Sequence, residues 1–260
     1  MRGNLFFRFI DRYLGIPIVF LIGLFHTKRE KPKKIKKIAI FKSAAIGDLI
    51  LISAVLKDIK ERYTDCNITL VLGSDNYSLL PLLRNYDNNI EINYSRPFKV
   101  IKTLRMEKFD CFIDLGSWPR IDAIISFLSK SNFIVGFKTN KQFRHNLYDV
   151  SYKHSDQIHE LDNYRNIITQ IFNIKCNATP QLYIDNVVKF TEKNFIFVHM
   201  WPGGYKSYNK EWERSNWLKL FDKILAGNNK IVLSGTSKNV YKNNYFIKKL
   251  GQENIINITG

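Results

Sequence analysis

The sequence predicts an α/β protein with largely parallel, doubly wound sheets in two domains, the second of them short. Three observations lead there. The chain of 260 residues is 45% hydrophobic and 14% aromatic, enough to bury a substantial core. From residue 37 short apolar runs alternate with amphipathic stretches. The alternation stops in a polar stretch, 138–157, and restarts at 195. Strands alternating with helices imply βαβ units, and right-handed crossovers bring every strand-to-helix loop to one sheet edge, where ligands of such sheets bind.

Residues 4–25, NLFFRFIDRYLGIPIVFLIGLF, precede the first unit. Arg8, Asp11 and Arg12 interrupt the first half and Pro17 the second, and the run from Leu14 to Phe25 is only 12 residues, short of the roughly 20 that span a bilayer. Charges inside the segment and the lack of a small-residue cleavage site argue against a signal peptide. HTKREKPKKIKK follows, with seven Lys or Arg from Lys28 to Lys37. Each basic residue near an anionic lipid surface is worth about 1 kcal/mol, and such a cluster marks the cytoplasmic side. An interfacial or re-entrant anchor is expected, the alternative being that these side chains cover a patch of the domain.

Strands are expected at KIAIFK (37–42), ITLVLG (68–73), IEINY (90–94), CFIDL (111–115) and FIVGF (133–137), and helices at 46–62, 75–84, 97–107 and 120–130. After the polar stretch one helix, 158–174, closes the first domain. FIFVHM (195–200), KIVLSG (230–235) and NIINI (254–258) read as strands, with helices near 214–226 and 238–250. The expected organisation is an apolar segment and basic linker over 1–36, a first domain over 37–180 and a partial second domain over 181–260.

Three strand-to-helix turns carry candidate chemistry. In SAAIGDL, the small turn Ser43-Ala44-Ala45 and Gly47-Asp48 head a helix whose unpaired N–H groups can meet an anion, Gly47 letting a ligand approach the backbone. Asp48 alternatively only complements the helix dipole, worth about 0.3–1 kcal/mol. In HMWPGGYKSYNKEW, Pro202-Gly203-Gly204 with Lys206, Ser207 and Lys210 has the makings of a phosphate-binding turn, or is a solvated loop. His199 on its own suits a core position better than a catalytic one. SGTSK, with Gly235 and Thr236, either contacts a nucleotide or is an ordinary turn. DLGSWPR (114–120) places Trp118 and Arg120 at the ligand edge of the fourth strand.

Forty Lys and Arg against 23 Asp and Glu leave a net charge of +17, which favours an anionic partner. No nucleic-acid motif accompanies that charge, so nucleic acid is not the expected partner. Cys66, Cys111 and Cys176 fall in no disulfide or zinc pattern.

The order of these pieces resembles family 9 glycosyltransferases, the heptosyltransferase-like enzymes of lipopolysaccharide assembly, over residues 37–260. Five motifs carry the resemblance: KIAIFKSAAIGDLILISAVLKDIKERY, FIDLGSWPR, VGF, HELDNY and VHMWPGGYKSYNKEWERSNWLKLFDKI. It implies a GT-B architecture: two facing Rossmann-like domains, the first for the acceptor and the second for a nucleotide-activated sugar. Asp48 matches the family's proposed base and Lys210 the lysine that meets the donor pyrophosphate. Gly203, Gly204, Ser207, Gly235 and Thr236 then fall on the donor side, and Ser43, Gly47, Trp118 and Arg120 on the acceptor side.

The implied reaction is an inverting, metal-independent transfer to a lipid-linked glycan at the cytoplasmic face of the inner membrane. It needs no cofactor, only the nucleotide-sugar as co-substrate, of which ADP-heptose is the candidate. The chain departs from the pattern twice. Met200 and Trp201 separate His199 from Pro202, where the family reads His-Pro-Gly. The family also continues past NITG with a helix and an Asp-Thr-Gly-x-x-His-like loop, so a fragment or a shortened form is expected. The competing expectation is a non-catalytic basic module that binds anionic glycolipid or membrane.

Overall fold

The computed structural model describes residues 5–185, 193–203 and 206–260, and the chain divides into two units at Asp185/Asn186. The first unit opens with α1 (Leu5–Tyr13) and α2 (Gly15–Leu24). Pro17 lies in the first turn of α2, where an N–H has no intrahelical partner to lose. Among the described residues no helix is long and apolar enough to cross a membrane.

There follow β1 (Lys37–Lys42), α3 (Ile46–Arg62), β2 (Asn67–Gly73), α4 (Ser74–Tyr77), β3 (Asn88–Ile92), α5 (Pro97–Glu107), β4 (Cys111–Asp114), α6 (Arg120–Leu128), β5 (Ile134–Lys138), β6 (Val150–Lys153) and α7 (Glu160–Phe172). All six strands are parallel, in the order β3-β2-β1-β4-β5-β6. The order reverses between β1 and β4, so the loops that leave these two strands diverge and open a crevice at the carboxyl edge of the sheet.

Period-two alternation assigns the faces. Ile38 and Ile40 of β1 pack with Leu49 and Ile52 of α3 and Tyr164 and Ile168 of α7. Ala39 and Phe41 pack on the other side with Val100 and Leu104 of α5, Ala123 of α6 and Val19 of α2. Each fully buried Ile, Leu or Phe contributes about 1.5–3 kcal/mol. The first half of the chain thus has apolar layers on both faces of one sheet.

Three expectations needed correction. The helix at 75–84 is the single turn α4 followed by a 3₁₀ turn, Leu80–Leu82, because Pro81 cannot continue an α-helical ladder. The third strand begins at Asn88, its register set by pairing Thr69 with Asn88 and Gly73 with Ile92. The polar stretch after 138 contains β6, an edge strand that none of its side chains advertises as buried.

The second unit holds β7 (Phe195–His199), α8 (Arg214–Ala226), β8 (Lys230–Ser234), α9 (Val240–Leu250) and β9 (Ile255–Asn257), with a parallel sheet of order β7-β8-β9. Its core joins Val198, Ile231 and Leu233 to Phe221 and Phe246. Met200 and Trp201, the two residues that interrupt the expected turn, are buried there. The Trp201 ring lies beside Phe246, and its Nε1 donates to Asn243 Oδ1 at 2.7 Å.

Candidate functional site

At the point where the strand order reverses, β1 ends on Lys42, a lysine only 3% exposed. An ammonium taken out of water must be paired and hydrogen-bonded. Lys42 Nζ donates to the Leu115 carbonyl (3.1 Å) and the Tyr164 hydroxyl (2.8 Å), and lies 2.9 Å from the Asp48 carboxylate. All three of its protons therefore have an acceptor. Asp48 stands in the first turn of α3 with its side chain 32% exposed, so one side of the carboxylate meets Lys42 and the other meets solvent. Beside it, a side chain at Gly47 would find nothing within 4 Å, which leaves open space for a ligand. The N-cap residue of α3, Ala45, makes no side-chain cap hydrogen bond to the first-turn N–H groups, which have no partner within the helix.

Behind Lys42 the polar network continues into α7. Burial, with the charges of Asp48 and Glu160, raises the Tyr164 phenol far above its ordinary range, so it stays neutral and donates to Glu160. Burial also pushes the Glu160 carboxyl up, but the hydrogen bond and charge of His154 and the charge of Lys42 outweigh it and hold Glu160 below the usual carboxylate range. Glu160 Oε2 is 2.8 Å from His154 Nε2 and accepts from Asn163 Nδ2 at 3.1 Å. Glu160, Asn163 and Tyr164 all come from the HELDNY motif, so that motif supports the site from behind.

The turn before Asp48 is clamped from both sides. Asn76 Nδ2 donates to the Lys42 carbonyl at 3.1 Å. Gly73 must be glycine, since a Cβ there would sit 2.1 Å from the Ser43 carbonyl oxygen. Ser43 turns its hydroxyl inward, to Asp122 Oδ2 at 2.5 Å, and the Tyr94 hydroxyl donates to Asp122 Oδ1 at 2.6 Å. Asp122 and its neighbour Asp114 are both buried. Asp114 takes the charged partner, Arg144 Nη2 at 2.6 Å, together with Tyr148 and the Gly116 N–H.

Asp122 is left with neutral donors. Burial, then the charge of Asp114, raises it to about 7. The folded chain therefore holds a proton on Asp122 that the unfolded chain has released above pH ~4. With more protons on the folded state, stability falls as pH rises from about 4 to about 7 and levels off beyond. Asp122→Asn keeps the shape without the titration, and urea unfolding at pH 5 and pH 8 checks this. Wild type is expected to lose stability relative to the variant between the two, by at most about 3 kcal/mol.

The acceptor-side candidates separate. Trp118 is 63% exposed in the loop that leaves β4, whereas Ser43 lies in the loop that leaves β1. Arg120 points away from the crevice: it is buried and its guanidinium donates to the Asp11 carboxylate and carbonyl, the Gln142 carbonyl and the Lys141 carbonyl. Asp11 Oδ1 in turn accepts from the backbone N–H of Arg120 and Ile121, at 2.7 and 3.1 Å. Arg120 thus ties α1 to the start of α6, which a sequence reading cannot see because the partner lies 109 positions away.

In the second unit His199 is exposed, yet both ring nitrogens are engaged. Nε2 lies 3.1 Å from the Trp201 carbonyl, which requires it to donate, and Nδ1 lies 3.0 Å from the Ser234 hydroxyl. Gly203 is exposed with open space around it, while Gly204 lies outside the described residues. Ser207 and Lys210 begin and end a 3₁₀ turn, Ser207–Lys210, and Lys210 is exposed. Thr236 forms a capping box with Asn239, so its N–H and hydroxyl serve the turn after β8, and Gly235 packs against the same Asn239. Among the described residues no group of three or more His, Cys, Asp or Glu side chains is placed to hold a metal ion.

Solved structures of similar fold bring the crevice and the two sheets into a known context. E. coli ADP-heptose lps heptosyltransferase II superposes with a TM-score of 0.63 at 16% identity, covering 87% of this chain and 73% of that one. The glycosyl transferase family 9 protein from Veillonella parvula gives 0.66 at 16% identity, covering 90% and 71%. E. coli heptosyltransferase WaaC with ADP-2-deoxy-2-fluoro heptose gives 0.67 at 14% identity, covering 85% and 76%. At such identities these likenesses show the GT-B fold. No curated protein matches the sequence significantly. The sequence profile of Glycosyltransferase family 9 (heptosyltransferase) matches residues 97–260, from α5 through the whole second unit. The chain belongs to glycosyltransferase family 9, the heptosyltransferase family, and is a glycosyltransferase.

Proposed function

We propose that this glycosyltransferase moves a sugar, a heptose, from a nucleotide-activated donor to a hydroxyl of a lipid-linked glycan of lipopolysaccharide type, with inversion at the anomeric carbon. The observation that carries the reading is Asp48: a half-open carboxylate at the reversal point of the sheet, held from behind by a buried lysine. In the proposed step Asp48 accepts the proton of the acceptor hydroxyl while the oxygen of that hydroxyl bonds to the anomeric carbon. The bond from that carbon to the diphosphate breaks, and the diphosphate departs with the electron pair. Lys42, 2.9 Å away, holds Asp48 in one orientation before the proton arrives. Such positioning of a base can supply several kcal/mol of the barrier.

Lys210, with the backbone at Gly203 and Gly204, receives the charge on the leaving diphosphate. WaaC with an ADP-sugar analogue makes an ADP-sugar the first donor to try. Ser43 contributes through its inward hydrogen bond to Asp122, which fixes the turn, and Gly47 and Trp118 offer the acceptor surface. We further place α1 and α2 on the anionic cytoplasmic face of the inner membrane. Phe9, Tyr13, Leu14 and Leu21 are 60, 57, 55 and 60% exposed there, and the basic stretch from Lys28 follows.

The test is transfer from radiolabelled ADP-heptose to acceptor-bearing membranes from a heptose-deficient strain, with and without EDTA. Labelled glycolipid formed equally in both is expected. No transfer, with no binding of ADP, would leave a glycolipid-binding module instead. Transfer that EDTA abolishes would overturn the metal-independent part.

A further inference from the structure

Helix α5 turns Val100 and Leu104 into the core and leaves Phe98 and Met106 in water, 86 and 71% exposed. Together with Leu128 at the end of α6 they line a groove of about 580 Å³ whose rim carries Lys102, Arg105 and Lys108. Among the described residues no carboxylate lines it. Keeping a Phe or Met exposed forgoes about 1.5–3 kcal/mol of burial per side chain, and an apolar patch ringed by polar groups marks a contact surface.

A second apolar patch lies near the same end of α6. On the other side of the last turn of α6, the His26 ring meets the Phe127 ring edge-on at 5.2 Å, just past Leu24 and Phe25, which are 76 and 86% exposed. On the groove side, Arg105 Nε donates to the Leu128 carbonyl at 2.8 Å. The end of α6 is therefore flanked by two exposed apolar patches, with exposed Lys28 following His26 in the chain and exposed Lys130 following Leu128. A second copy of a +17 chain would bring like charges together across this surface. An anionic lipid surface complements both the charge and the apolar floor.

We propose that the α5–α6 groove is a second membrane contact, seated on the headgroups of anionic phospholipid with Phe98 and Met106 dipping toward the acyl chains. This deepens the reading above that α1 and α2 lie on a membrane, and rests on it. Two contacts, one on each side of α6, fix the rotation of the first unit on the bilayer, which one amphipathic segment cannot do. The groove runs the length of α5, from Phe98 in its first turn to Met106 in its last, and meets the C-terminal end of α6 at Leu128.

The test is co-sedimentation with vesicles of phosphatidylcholine, alone or mixed with phosphatidylglycerol. Three chains are compared: wild type, a groove variant (Phe98→Ser, Lys102→Glu, Met106→Ser) and an α2 variant (Leu21→Ser, Leu24→Ser, Phe25→Ser), each with a wild-type thermal melt. Wild type is expected to prefer the anionic vesicles, and the groove variant to bind them at least about tenfold more weakly. If the groove variant binds like wild type while the α2 variant does not, the groove inference falls and the membrane reading stands. If both bind like wild type, both fall. Equal wild-type binding to the two kinds of vesicle also overturns the inference. So does a lipid-free dimer that the groove variant abolishes, which would give the groove to a second copy.

Discussion

Asp48→Ala is expected to lower the rate of sugar transfer by about 10²–10⁴, the range over which a positioned general base acts. Binding of the donor nucleotide, measured by calorimetry with ADP, is expected to stay within twofold, because Asp48 and the donor-side candidates belong to different units. The substitution also has a structural consequence that must be kept apart from the chemical one. Lys42 then holds a buried ammonium with only the Leu115 carbonyl and the Tyr164 hydroxyl to accept from it. Losing the ionic acceptor costs about 1–3 kcal/mol of stability, an upper range here because Asp48 is partly exposed. Activity is therefore measured well below the melting temperature of the variant. A rate within threefold of wild type under those conditions would remove Asp48 as the base.

Lys210→Ala is the second large effect. Removing one electrostatic stabiliser of a developing negative charge typically costs 10²–10³ in turnover, about 2.7–4 kcal/mol. Lys210 is exposed at the end of its turn, and among the described residues no carboxylate pairs with it, so its removal should leave the melt unchanged. The expected pattern is a fall in kcat together with a weaker affinity for ADP. Lys210→Arg keeps the charge and is expected to recover part of both. An Ala variant with wild-type turnover would move the diphosphate contact elsewhere in the turn.

Much of the first sheet is legible because its central strands are buried on both faces. KIAIFK and NITLVLG read as unbroken apolar runs, and those residues do face two layers of helices. The edges are harder. β6 is half exposed and polar, so nothing in VSYK separates it from a loop. Leucines at 79, 80, 82 and 83 imitate a helix, and Pro81 decides against it.

Asp48 is legible as a candidate from its place in a strand-to-helix turn, but Lys42 is not. A lysine closing a strand looks like a solvated end. Only the parallel pairing with β4, which brings Leu115, and the packing of α7, which brings Tyr164, show that it is enclosed. Arg120 errs the other way: a cation at the ligand edge suggests a substrate contact, yet Asp11 holds it. Met200 and Trp201 look like a disruption of the turn after β7, and prove to be core residues that anchor it.

The central claim is that Asp48 acts on the acceptor, with Lys42 only holding it in place. The competing account is that Asp48 exists to neutralise Lys42. The double variant Lys42→Met/Asp48→Ala separates them, since a methionine of similar length fills the buried channel without a charge. Single-turnover transfer and urea unfolding are measured on the double variant, both single variants and wild type. Stability is expected to return toward wild type in the double variant while transfer stays at the level of Asp48→Ala. Transfer restored to within threefold of wild type, with the carboxylate gone, would contradict the account.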